Sequence, residues 1–101
     1  MRFKIPIFLS ALGLVVLMYY CSPTLYVPVA ADAEKTNTSL DTLLAGRKLY
    51  INNCGSCHAL YLPERFTAIK WKMELDEMQK KARINDKQRT LIYKYLISKS
   101  L

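Results

Sequence analysis

Cys54-Gly55-Ser56-Cys57-His58 gathers the scarce chemistry of this chain: two of its three cysteines and its only histidine. Two thiols at this spacing can form a disulfide, act as a thiol redox pair or supply half of a zinc site. Zinc needs four ligands, and the chain has neither a second C-x-x-C nor a second histidine. A thioredoxin-like site needs a βαβ setting, and no stretch here alternates as a strand should. The histidine directly after the second cysteine selects a different chemistry, because C-x-x-C-H is the attachment sequence of c-type haem. The two thiols can add across the two vinyl groups on one haem edge. The next residue then projects an imidazole to the iron. Covalent linkage retains a cofactor that so small a domain cannot enclose.

With His58 as the proximal ligand, no second imidazole is available within the chain. The sixth position is filled by Met, by a weaker ligand such as Asn or Lys, or left open. A thioether is soft, favours Fe(II) and raises the reduction potential. The candidates are Met78 and Met73, since Met1 and Met18 lie in the apolar N-terminal region. Met78 shares a helical stripe with Trp71, Leu75 and Ala82 and is expected to face inward. Met73 stands about 200° from Trp71 around the same helix and points elsewhere, with Ile69. Either methionine is otherwise an ordinary core filler.

The elements that must hold this motif are helical. Ser39 can cap a helix starting at Leu40, and Leu43, Gly46, Tyr50 and Cys54 fall on one face. Gly46 in mid-helix costs about 1 kcal/mol relative to Ala, which a close helix crossing would explain. A second helix is expected over residues 67–83. A third starts near Asp86 with Asn85 as its cap, and its face is Leu91, Ile92, Tyr95 and Leu96.

The chain has 101 residues, of which 51% are hydrophobic, and a formal charge of +7. Arg2 and Lys4 precede an apolar run of 16 residues, 5–20, and Cys21 follows it. Residues 1–21 therefore read as a signal peptide or membrane anchor, with the rest exported. Cys21 stands where a bacterial lipoprotein is cleaved and lipidated, although Tyr19-Tyr20 departs from the small residues usual there. Retention as an anchor, or cleavage after Ala31 or Ala33, are the other readings. Residues 22–39, with Pro23, Pro28 and Thr36-Asn37-Thr38-Ser39, read as a flexible tether. That leaves 40–101 as the folded domain, too short for a TIM barrel or Rossmann fold and small enough to need its cofactor for stability.

Over residues 40–101 the chain resembles the class I cytochrome c family. The resemblance rests on Cys54 to His58, on Gly46 and Tyr50 upstream, and on Ile92-Tyr93-Lys94-Tyr95-Leu96, which looks like that family's C-terminal helix. It implies a small all-α cytochrome c-like fold, three main helices around one covalently attached haem. It also implies that Gly46 lets two helices cross closely, with Tyr50 near Tyr95 and Leu96. Trp71 preceding Met78 by seven positions resembles a compact bacterial variant and supports Met78 as ligand. Only 19 residues separate His58 from Met78, so an exposed haem edge is expected. In the family the proximal imidazole is oriented by a carbonyl near a proline, which points to Leu62 or Pro63. Tyr61, Arg65 and Trp71 are candidates for propionate contacts.

The chain offers no acid–base pair, nucleophile–base pair or phosphate loop, so the leading expectation is a one-electron carrier rather than an enzyme. Its setting is extracytoplasmic, membrane-attached and respiratory, in a bacterium. Lys70, Lys72, Lys80 and Lys81 could steer redox partners with acidic surfaces, and no nucleic acid is expected. The alternatives are a five-coordinate haem sensor or peroxide-reactive protein, and a fixed haem subunit of a larger oxidoreductase complex.

Overall fold

The computed structural model describes residues 24–55 and 59–101. The reading of residues 1–21, and Cys21, Cys57 and His58 with it, lies outside the described residues. The described residues form an all-helical unit with no strand: α1 (Ala30–Thr36), α2 (Leu40–Cys54), a single 3-10 turn (Pro63–Arg65), α3 (Ala68–Ala82) and α4 (Asp86–Ile97).

Local chemistry accounts for the helix ends. The Ser39 side chain accepts from the Thr42 amide at 3.2 Å, and Thr67 caps α3 in the same way through Lys70. At α4 the bonds are reciprocal: Gln88 N donates to Asn85 Oδ1 at 2.8 Å, and Asn85 N donates to Gln88 Oε1 at 3.0 Å. α1 and α3 end on the left-handed residues Asn37 and Arg83, φ 49° and 55°. At Arg83 the chain closes with Ile84 N donating to Gln79 O at 3.2 Å.

The core lies where α2 crosses α4. Leu43, Gly46, Tyr50 and Cys54 are the buried residues of α2, and Ile92, Tyr95 and Leu96 those of α4. A Cβ on Gly46 would strike the carbonyl oxygen of Leu91 and come within 2.9 Å of Tyr95 Cβ. Only glycine permits this approach, which is the physical reason for its place in mid-helix. Tyr50 and Tyr95 pack with ring centroids 6.0 Å apart. α2 and α4 share a long interface, whereas α2 and α3 touch only briefly.

Residues 24–39 are not a flexible tether. Their second half is α1, and their first half is bonded to α2 and α4. Tyr26 O accepts from Tyr95 Oη at 2.7 Å and from Arg47 Nε at 3.0 Å. Asp32 is 8% exposed and accepts from Tyr26 Oη at 2.6 Å and Val29 N at 2.8 Å. The composition looked like a linker because these contacts use backbone carbonyls and one carboxylate instead of an apolar stripe.

Candidate functional site

Cys54 ends α2, and its side chain is 6% exposed. It opens onto a narrow groove between α2 and α3 lined by Tyr50, Cys54, Tyr61, Trp71, Glu74, Leu75 and Met78. Helical period sets this lining. Tyr50 and Cys54 are four apart on α2, while Trp71, Leu75 and Met78 follow at four and three on α3. The groove thus joins a thiol, a thioether and flat apolar side chains. That donor set would fit a haem held through sulfur, with the Met78 thioether available as a soft donor. Met73 is 57% exposed and does not line the groove.

The loop after the motif is pinned from both helices. Tyr50 Oη donates to Tyr61 O at 2.6 Å, and Trp71 Nε1 donates to Pro63 O at 2.7 Å. Phe66 packs edge-on against Trp71 with centroids 5.0 Å apart and against Tyr61 at 5.5 Å. Leu101 N donates to Phe66 O at 3.1 Å, tying the C-terminus to the same loop. Burial raises the Tyr50 hydroxyl well above its ordinary value, so it stays a neutral donor.

Each remaining sequence-derived candidate has a definite place. The single N–H of the Trp71 indole is committed to Pro63, inside a side chain only 3% exposed. The Leu62 carbonyl accepts from Arg65 N at 2.9 Å. Arg65 is exposed, with its guanidinium 6.0 Å from the centroids of Tyr61 and Phe66. Tyr61 is 43% exposed at the groove mouth.

Two features escaped the sequence reading. Glu74 is the charged residue lining the groove, and Lys70 Nζ holds its carboxylate at 3.1 Å. The signal was present, since Glu74 precedes Met78 by one helical turn. The clamp by Tyr50 could also have been asked for, because a buried tyrosine hydroxyl needs an acceptor. Which carbonyl it finds depends on the loop path. Among the described residues, no group of three or more His, Cys, Asp or Glu side chains could hold a metal ion. No described helix is long and apolar enough to cross a membrane.

Compared with known proteins, residues 50–101 match the family described as dihaem cytochrome c. No curated protein and no solved structure matches the chain.

Proposed function

Because this chain belongs to the dihaem cytochrome c family, whose haem is covalently bound and serves electron transfer, we propose that it carries one electron at a time on a single haem. Cys54 and Cys57 hold that haem, His58 is the proximal ligand and Met78 the distal one. The family's description names two haems, whereas these 101 residues contain one C-x-x-C-H and one histidine. These residues therefore offer attachment for one haem. The family resemblance at the sequence level was to class I; the match supports the broader cytochrome c assignment.

The observation that carries the ligand assignment is the shared groove, in which Met78 and Cys54 stand together while Met73 faces solvent. When bound, the haem supplies the Fe(III)/Fe(II) couple. The chain supplies the rest. The Cys54 and Cys57 sulfurs form thioethers, Tyr50 and Trp71 fix the loop after His58, and Leu75 and Trp71 keep water from the groove floor. A thioether from Met78 on the iron, beside the imidazole of His58, would leave little to rearrange on electron transfer, which suits a carrier better than a ligand-binding sensor. The exposed Lys72, Lys80 and Lys81 on α3 suit an acidic partner surface, with attraction that weakens as salt rises. The setting that fits is the outer face of a bacterial membrane, with residues 1–21 as anchor or lipoprotein signal and Cys21 as the lipid-bearing residue.

Two spectra test the ligand assignment in protein matured with haem. Met78→Ala should abolish the long-wavelength sulfur-to-iron band and admit carbon monoxide rapidly to the reduced iron. Met73→Ala should leave both readouts unchanged. The reverse pattern would move the ligand to Met73, and loss in neither variant would remove methionine altogether.

A further inference from the structure

We propose that residues 24–39 form a bracket that holds the haem-bearing helices at a fixed stance on the membrane. The inference rests on the reading that residues 1–21 attach the chain to a membrane. It goes further by deciding between a leashed carrier and a fixed module.

The argument is one of reach. A free linker over residues 22–39 would extend about 60 Å, at roughly 3.3 Å per residue. The docked segment has no such slack. The first bonded carbonyl is that of Leu25, which accepts from Arg47 Nη2 at 3.4 Å. Tyr26 O follows with its two donors, Tyr95 Oη at 2.7 Å and Arg47 Nε at 3.0 Å. Only residues 22–24 then separate Cys21 from the first anchored position, about 10 Å of chain.

The bracket is internally braced as well. Tyr26 Oη and Val29 N both donate to Asp32, and Lys99 Nζ lies 4.9 Å from the Tyr26 ring centroid. Burial alone would push the Asp32 carboxyl up. The bonds from Tyr26 and Val29 and the charges of Lys99 and Lys35 outweigh it, so Asp32 is held below its ordinary value and stays ionised.

Val27 and Val29 are each 52% exposed on the bracket, and the charges of Lys35 and Lys99 act on its Asp32. Exposed valines and lysine charge around one segment suit the boundary between acyl chains and anionic headgroups. A domain held this close cannot sweep the space beyond its own membrane.

The test uses the full haem-loaded chain in vesicles of phosphatidylcholine and phosphatidylglycerol carrying a headgroup fluorophore that haem quenches. The comparison is the double variant Arg47→Ala/Tyr95→Phe, which removes all three donors to the Leu25 and Tyr26 carbonyls. An unchanged haem spectrum shows that the variant is folded. The wild type should quench several-fold more strongly. Its amides in residues 24–39 should exchange hydrogen at least ten-fold more slowly than those of the variant. A vesicle-bound wild type with equal quenching and unprotected amides overturns the bracket while leaving the attachment reading intact. A wild type that stays in solution with protected amides overturns the attachment reading, and the stance on the membrane falls with it.

Discussion

α2 meets its two neighbours in opposite ways. Against α4 it is packed until no space remains: Leu43, Ile92, Tyr95 and Leu96 are 0% exposed, and Gly46 lies against the Leu91 carbonyl. Against α3 it leaves a groove lined by Cys54, Tyr50, Trp71 and Met78. One interface is complete with protein atoms, and the other is left open. The α2–α4 crossing is closed by the chain's own side chains, whereas the α2–α3 side is where the proposed haem would complete the packing.

The sharpest way to break this contrast is to deny the groove its occupant. Cys54→Ala/Cys57→Ala should remove covalent haem completely by mass spectrometry, and circular dichroism should show most helicity lost. Full helicity without haem would mean that α4 alone can organise the domain. Gly46→Ala attacks the other interface, where a methyl group collides with backbone that cannot swing aside. A loss of about 3 kcal/mol or more is expected from denaturant unfolding.

Trp71→Phe keeps an aromatic ring but loses the five-membered ring with its one donor, leaving the Pro63 carbonyl without that bond. The expected cost is about 1–3 kcal/mol in unfolding, with a perturbed haem spectrum because the pinned loop follows His58. Tyr95→Ala, which empties the crossing, should cost more while shifting that spectrum less.

Alkali sharpens the comparison in another way. Burial raises the Tyr95 hydroxyl to about 12, and the Tyr50 hydroxyl is also raised. Folding therefore favours the neutral phenols. Their contribution is complete below the ordinary tyrosine range near 10 and is lost as pH rises from there through about 12. Helix content measured across that window should fall less steeply in Tyr95→Phe than in the wild type. The smallest effect belongs to neither interface. Arg83→Gly relieves a left-handed non-glycine residue at the end of α3 and should stabilise by about 0.5–1 kcal/mol.

Much of the frame was legible before any coordinates. Ser39 and Asn85 mark where helices begin, and the faces 43/46/50/54 and 71/75/78/82 follow from the helical period. The second helix proved one residue shorter at each end than expected, as caps allow. Met78 was separated from Met73 by angle, because Met73 stands two residues from Trp71, on another face of the helix, whereas Met78 stands seven away, close to two full turns.

What the sequence determined by itself is the attachment motif and the helical faces, because both depend on residues within a few positions of one another. The tertiary structure decided where long-range donors find carbonyl acceptors. Tyr50 took Tyr61, Trp71 took Pro63, and Tyr95 reached Tyr26 across 69 positions. That last bond helps turn an apparent tether into part of the fold. Every residue presents the same carbonyl, so no pattern of side chains identifies which one will be chosen, and only the packed chain brings donor and acceptor together.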